Sequence, residues 1–448
     1  MKTLKYTFWG SLVVLSALWW QADPTDWSSL HGLFAWRNVL NQYTGILGIG
    51  VMSLAMLLAV RPVFLERPLG GLDKMYRLHK WLGIAALAAA TVHWLWAQGT
   101  KWAVGWGWLT RPARKPRATA DSMGSIESAL RGWRGLAEDL GEWAFYAVAV
   151  LLVLALVKRF PYRLFAKTHH WMAAIYLVLA FHTLVLVQFS YWAQPVGWAL
   201  AMLLASGTVS AVWVLLGRVG AQRTAHGVIE SLQTYPALNV LETTLRMDPG
   251  WPGHRPGQFA FAMSNPKEGP HPYTLASAWV PEDRRITFIT KALGDHTRRL
   301  PERLQVGDRV TVEGPYGCFT FDDGRARQIW IGAGIGITPF IARMKFLAQH
   351  EGQDARPIDL FHPTSDVDPQ AIEKLRADSQ AAGVVLHLLI DKQNGRLTGE
   401  RLRAMVPGWK DASVWFCGPT AFGRALRADL LAQGLEPEAF HQELFEMR

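Results

Sequence analysis

The sequence is short of cysteine, of charge and of acid. It has two cysteines in 448 residues, Cys318 and Cys417. Neither a disulfide framework nor a cysteine-rich metal site can be built from them. No C-x-x-C-H occurs, which excludes covalently attached haem by that signature. Charged residues make up 18% and apolar ones 50%, a balance foreign to a soluble enzyme and ordinary for a chain that is half membrane protein. Acids number 36 against 46 bases. The bases sit mostly beside apolar segments, and the second half shows no basic face with interleaved aromatics. The positive charge therefore reads as membrane topology and not as nucleic-acid binding. There is no internal repeat and no low-complexity tract.

The apolar residues concentrate before about residue 217, and 22 residues are Trp. Six membrane helices are predicted, at about 6–21, 38–60, 79–98, 138–157, 170–190 and 196–216, each near the ~20 residues a bilayer needs. The start has a signal-peptide look, Lys2 and Lys5 before an apolar run. That run ends in Leu18-Trp19-Trp20-Gln21 without a small-residue cleavage site, so an uncleaved first helix is expected. The basic residues of segments 61–80 and 158–167, with Arg218 and Arg223, place those loops on one side, the cytoplasmic one. Both termini then lie inside, as for a bacterial inner-membrane protein. The loop 99–137 opposes this, with Lys101, Arg111, Arg114, Lys115, Arg117, Arg131 and Arg134 left outside.

After about 220 the pattern changes. Segments 228–230, 239–245, 258–261, 285–289 and 309–312 read as short strands between Pro/Gly turns, which predicts a small antiparallel barrel. From about 326 strands alternate with helices, beginning with 328–332 and continuing at 358–361, 384–389 and 414–417. That predicts an α/β parallel sheet. The expected domains are 1–219, 220–324 and 325–448.

Ionisable groups at membrane depth are costly and default to function. His79 and His93 lie in the third predicted helix, and His169, His170 and His182 at and within the fifth. The first two are 14 residues apart, roughly 21 Å of rise and nearly on one face. His169 and His182 are 13 apart, roughly 20 Å. Two helices thus offer imidazoles at two matching depths, a pattern suited to two stacked haems with two His each. On an ideal helix His169 and His182 stand about 140° apart, and His170 and His182 about 120°. Periodicity does not choose between His169 and His170, and a π-bulge would repair either. His31 lies in an outer loop, apart from this set.

The spaced His pairs resemble those of the ferric reductase and NADPH oxidase superfamily, whose membrane half is a six-helix bundle holding two haems. The resemblance implies His169 over His170. It pairs His79 with His169 on an inner b-type haem, and His93 with His182 on an outer one. It also implies an aromatic between the haems, for which Tyr176 is near the right depth.

Further motifs follow in family order. His271-Pro272-Tyr273-Thr274-Leu275-Ala276-Ser277 offers an aromatic for a flat ring and hydroxyls for its edge. It resembles the H-P-[FY]-T-x-x-S flavin signature of ferredoxin-reductase-type domains. Lys291-Ala292-Leu293-Gly294-Asp295-His296-Thr297 resembles the second signature. The resemblance implies that Tyr273 stacks on the isoalloxazine, that Thr274 and Ser277 bond its edge or chain, and that Gly294 to Thr297 cradle phosphate. Gly314-Pro315-Tyr316-Gly317 lies between the two soluble domains. Gly332-Ala333-Gly334-Ile335-Gly336-Ile337-Thr338-Pro339 follows an apolar strand and leads into a helix. Its glycines let backbone approach phosphate at a helix N-terminus. It is not G-x-G-x-x-G, and it resembles the G-x-G-x-T-P nicotinamide loop. Phe416-Cys417-Gly418-Pro419 resembles the family's C-G-P motif, whose thiol lies near the nicotinamide. Phe445 is the expected C-terminal aromatic that covers the flavin.

The fold expected is a six-helix transmembrane bundle followed by a ferredoxin-reductase-like module, an antiparallel β-barrel FAD domain plus an α/β nicotinamide domain. The resemblance implies an enzyme with FAD, two b-type haems and NADPH or NADH as cofactors. Electrons would pass from NAD(P)H to FAD, inner haem, outer haem and an outside acceptor, oxygen or a ferric complex. A quinone or partner protein is the alternative acceptor. The partners expected are lipid and a small-molecule acceptor, with no partner protein required. After the second strand of the nicotinamide domain, Phe361-His362-Pro363-Thr364-Ser365-Asp366 has hydroxyls but no arginine. Lys392 and Arg396 are the nearest compensating cations, and family habit leans to NADPH. Two other classes stay open: a transporter with a regulatory flavodomain, and an anchored flavin reductase without haem.

Overall fold

The computed structural model describes the chain apart from residues 1, 24, 26, 111–124, 158–161, 267, 351, 353–355 and 444–448. It divides into two compact units. The first holds residues up to Leu65 and Lys74–Val219, and the second holds Glu66–Asp73 with Gly220–Met447. The sequence alone places 66–73 with the membrane half; the structure groups it with the second unit instead.

The helices of the first part of the chain are α1 (Lys2–Ala22), α2 (Leu33–Ala59), α3 (Val63–Leu69), α4 (Leu72–Gly105), α5 (Ser125–Gly132), α6 (Arg134–Leu156), α7 (Tyr162–His170), α8 (Met172–Leu186) and α9 (Pro195–Leu215). Among the described residues, four stretches are long and apolar enough to cross a membrane: Leu33–Ala59, Arg134–Leu156, Leu164–Leu186 and Pro195–Leu215. α2 is buried along much of its length and packs against α1, α8 and α9. α6 packs against α8. Pro195 opens α9, where its missing N–H has no intrahelical partner to lose.

Two expected helices differ. The third runs over Leu72–Gly105 rather than 79–98. Its flanking Lys74, Arg77 and Lys101 are good helix formers, so the helix continues beyond its apolar stretch. The fifth is two helices, α7 and α8, separated at Trp171. There the Trp171 N–H donates to the Thr168 carbonyl at 3.1 Å, a three-residue closure that tightens the last turn of α7.

The second unit holds two sheets. The strands β1 (Thr224–Tyr235), β2 (Val240–Met247), β3 (Phe259–Met263), β4 (His271–Thr274), β5 (Arg285–Lys291) and β6 (Arg309–Tyr316) form an antiparallel sheet ordered β4-β3-β6-β1-β2-β5. One antiparallel bridge, Leu275 to Phe288, links the residue after β4 to β5. Ile229, Leu245, Leu275, Ile286, Phe288 and Val312 fill its core. α10 (Asp295–Arg303) follows β5.

The later strands are β7 (Arg327–Gly332), β8 (Ile358–Thr364), β9 (Val385–Ile390), β10 (Ala412–Cys417) and β11 (Phe440–Gln442). They make a parallel sheet ordered β11-β10-β7-β8-β9. Its helices are α11 (Thr338–Gln349), α12 (Pro369–Ala381), α13 (Asp391–Asn394), α14 (Gly399–Met405) and α15 (Thr420–Ala432). Side chains alternate across a strand. Ile329 and Ile331 join Leu402, Leu426 and Leu430 of α14 and α15, whereas Trp330 joins Phe340, Met344 and Leu375 of α11 and α12. Both faces are covered, which is why 328–332 reads as an unbroken apolar run.

His254 lies in the flavin-type sheet's core, 9% exposed, with its Nε2 2.9 Å from the Ser277 carbonyl. Burial lowers its pKa to about 4, against the weaker raising effect of that hydrogen bond. The folded chain therefore holds it neutral, while the unfolded chain protonates it below about pH 6.5. Stability should fall as pH drops from about 6.5 to 4, by on the order of 3 kcal/mol. Thermal melting of the full chain against pH checks this: His254→Met should flatten the acid limb, and an unchanged limb would assign it elsewhere.

Candidate functional site

The four histidines form two close pairs in the first unit. The His79 and His169 ring centroids are 5.9 Å apart, and those of His93 and His182 are 6.2 Å apart. With the tightened turn at Trp171 between His169 and His182, both pairs form, and the mismatch expected of one ideal helix does not arise. The residue brought to His79 is His169; His170 is exposed. A metal held by two imidazoles at about 2 Å per bond sets ring centroids about 6 Å apart. Both pairs meet that spacing.

The second nitrogen of each ring matters too. Nδ1 of His79 lies 2.9 Å from the Ala55 carbonyl, Nδ1 of His93 lies 3.1 Å from that of Asn41, and Nδ1 of His182 lies 2.7 Å from that of Ala137. A carbonyl can only accept, so these nitrogens carry the proton and Nε2 keeps its lone pair. That is the tautomer a metal ligand needs. Nδ1 of His169 is buried and has no partner among the described residues.

Glycines make room for the rings. A Cβ at Gly141 of α6 would lie 2.0 Å from His182 Nδ1, and one at Gly45 of α2 3.3 Å from His93 Cε1. Both glycines line a cavity of about 1380 Å³ together with His93 and His182. Ordinary small-molecule pockets run to about 1,000 Å³, so the space suits a large planar group. Tyr176 is fully buried, with its hydroxyl 2.8 Å from Ser53 Oγ.

In the second unit the flavin-signature residues gather around β4. Tyr273 pairs with Ala260 and Thr274 with Phe259 in the ladder. His271 and Pro272 precede them on the same strand. Thr274 and Ser277 are buried. The Ser277 hydroxyl accepts from the Thr287 N–H at 3.1 Å, so it braces the sheet. Thr297 Oγ1 accepts from Leu293 and Gly294 N–H groups at 3.0 and 3.1 Å and closes the start of α10. Lys291 pairs with Asp366 at 3.1 Å.

Sequence reasoning missed Glu66. Its Oε1 accepts from the Gly317 N–H at 2.7 Å, and its Oε2 lies 3.2 Å from Arg223 Nη1. The same Arg223 nitrogen donates to the Pro315 carbonyl at 2.9 Å, and the guanidinium lies over the Tyr316 ring. These bonds tie Glu66–Asp73 to the Gly314–Gly317 stretch. The available signal was that the basic segment 61–80 also holds two acids, Glu66 and Asp73. Gly141 had a signal as well, small residues spaced by four at Ala137 and Gly141.

The nicotinamide-type loop interlocks with the end of β10. The Ala333 N–H donates to the Cys417 carbonyl at 3.0 Å. A Cβ at Gly336 would lie 2.2 Å from that carbonyl oxygen, and one at Gly332 2.8 Å from Ile337 Cα. Gly334 has φ +55°, in the left-handed region. Thr338 is buried and donates to the Ile335 carbonyl at 2.8 Å, and Pro339 sits in the first turn of α11. Gly418 and Pro419 lead into α15. Cys417 is fully buried, and burial with nearby Glu443 pushes its thiol up. Its thiol is therefore held protonated, unlike a nucleophile. Phe445 lies outside the described residues. Gly336→Ala should destabilise the fold by about 1–3 kcal/mol through overlap with the Cys417 backbone, which a denaturant melt of the full chain checks.

Residues 44–180 match the family described as ferric reductase like transmembrane component. The chain also resembles the flavohemoprotein of Oceanobacillus iheyensis, 25% identical over 188 residues, which cover 39% of this chain and 46% of that protein. It also resembles the glycine betaine monooxygenase reductase subunit of Chromohalobacter salexigens, 26% identical over 189 residues, covering 39% and 50%. The chain thus spans about half the length of these curated relatives. A flavohemoglobin from Malassezia yamatoensis aligns over 92% of this chain and 97% of its own, at 17% identity and TM-score 0.46.

Proposed function

Since the chain joins a ferric-reductase-like transmembrane domain to a flavohaemoprotein-like reductase module, and so matches the ferric reductase and NADPH oxidase superfamily, we propose that it is a transmembrane NAD(P)H oxidoreductase with an acceptor outside the cytoplasm. The observation that carries this is the two imidazole pairs at 5.9 and 6.2 Å.

On this reading six helices span the membrane, α1 and α4 with the four longest apolar stretches. The antiparallel sheet closes as a barrel through the Leu275–Phe288 bridge. FAD and two b-type haems would supply a hydride acceptor and a series of one-electron carriers. His79 with His169, and His93 with His182, would hold the haems. The carbonyls of Ala55, Asn41 and Ala137 fix the ring tautomers. The β4 strand and the loop before α10 hold the flavin, and the loop between β7 and α11 holds the nucleotide phosphates. No side-chain acid or base is required.

The acceptor is oxygen, giving superoxide, or a ferric chelate, and a quinone is the alternative. Termini and reductase module are cytoplasmic, and no partner protein is needed. A reduced-minus-oxidised visible spectrum of the detergent-purified protein, followed by NADH or NADPH with and without air, tests the reading. A low-spin b-type signal reduced by nucleotide supports it. Its absence in folded, flavin-loaded protein would leave an anchored flavin reductase.

One observation favours NADH. Asp366, just beyond β8 and paired with Lys291 at 3.1 Å, is an acid after the second strand of the sheet, which suits a ribose hydroxyl and opposes a 2′-phosphate. Arg396, the compensating candidate, lies 4.0 Å from Asp391. The ratio of kcat/KM for NADH over NADPH is expected to be about ten or more, and a ratio below one would reverse the assignment.

A further inference from the structure

A chain of polar contacts joins the two flavin-signature segments. Glu268, in the loop before β4, pairs with Arg303 at the end of α10. Its other oxygen lies 2.5 Å from Nδ1 of His296. Nε2 of His296 lies 2.9 Å from the Tyr273 hydroxyl. His271 stacks flat on the His296 ring, with centroids 3.6 Å apart. Three groups from two segments, Glu268 in the loop and His271 and Tyr273 on β4, thus meet one imidazole, and Tyr273 is the one expected to pack on the flavin.

The chemistry of the contacts fixes what each proton state allows. Burial alone would raise the Glu268 carboxyl, but Arg303 and His296 hold it down to about 2. It is a carboxylate, acceptor-only, so Nδ1 carries a hydrogen. When His296 is neutral, Nε2 is a bare lone pair, and the contact forms only if Tyr273 donates. The Tyr273 hydrogen is then spent on His296. When His296 takes up a proton, Nε2 becomes the donor, and the Tyr273 hydrogen is released to another acceptor. Burial and nearby Glu268 push the Tyr273 phenol up, so it stays protonated throughout.

We propose that His296, oriented by Glu268, is a positioning residue that sets which way the Tyr273 hydroxyl donates, and so ties FAD affinity to proton uptake at this imidazole. The proposal rests on the reading that β4 and the loop before α10 hold the flavin. The released hydrogen meets an acceptor atom of the flavin, and binding tightens as pH falls. The groups facing His296 are Glu268, with Arg303 behind it, and His271 and Tyr273 on β4.

The test is FAD binding to the full-length protein in detergent, freed of flavin, followed by quenching of flavin fluorescence between about pH 5.5 and 8, where imidazoles ordinarily titrate. In the wild type Kd should rise about three- to tenfold across that range, the worth of one net hydrogen bond. In Tyr273→Phe and in His296→Gln it should stay flat within about twofold. A wild type that binds FAD with no pH dependence overturns the inference and leaves the flavin site standing. A Tyr273→Phe variant with the wild-type slope also overturns it, because the imidazolium charge would then act without the hydroxyl. A slope that survives in His296→Gln assigns the titration to His271 and overturns it too. No FAD binding at any pH in folded wild-type protein would instead reject the flavin-site reading itself.

Discussion

If each imidazole pair holds a haem, as proposed, His93→Ala or His182→Ala should lower the haem content from two to about one per chain and cut NAD(P)H-driven reduction of the outside acceptor by more than about a hundredfold. Loss of a partner that merely orients a metal-bound histidine already costs 10–100-fold, so removing the ligand itself must cost more. Reduction of a soluble dye by the reductase module should continue at near the wild-type rate. Haem quantitation and the two assays on the same preparation separate these effects. Two haems retained in His93→Ala would overturn the assignment of that pair. Unchanged acceptor reduction with one haem would instead place the exit at His79 and His169.

Gly141→Ala is the sharper test, because it touches no ligand atom chemically. The new methyl group would lie 2.0 Å from His182 Nδ1 and 2.3 Å from Cε1. No relaxation of a few tenths of an ångström removes such an overlap. The ring must turn, and turning breaks its 2.7 Å bond to the Ala137 carbonyl one helical turn earlier. Overpacking of this kind costs about 1–3 kcal/mol, and here it falls on the orientation of one imidazole. The haem proposed for His93 and His182 should be lost or its spectrum altered, with the other pair untouched. Gly45→Ala is the matched comparison. Its methyl group would meet His93 at 3.3 Å, and its effect should stay below about threefold in haem affinity. Equal behaviour of the two variants would show that ring position does not matter here.

Much of this was legible in the sequence, for reasons that differ from element to element. β7 could be read because burial on both faces leaves an unbroken apolar run. The His79 and His93 spacing could be read because one helix carries both. The choice between His169 and His170 could not be made from spacing, since the break at Trp171 changes the phase and no proline or glycine marks it. Glu66 was missed because its partners, Gly317 and Arg223, are remote in the chain. Gly141 was missed because what matters is the ring of another helix. Ser277 and Thr297 are at the expected motif positions, but their hydroxyls serve the backbone, which no motif encodes.

The break at Trp171 also makes the two walls of the haem-type site unequal. His79 and His93 ride one uninterrupted helix, Leu72–Gly105, which works as a ruler. One residue inserted between them would rotate His93 by about 100° relative to His79 and lengthen the interval by about 1.5 Å, spoiling both pairs at once. His169 and His182 stand on either side of the tightened turn at Trp171, so natural insertions and deletions in related chains should be tolerated more readily near 171 than between 79 and 93.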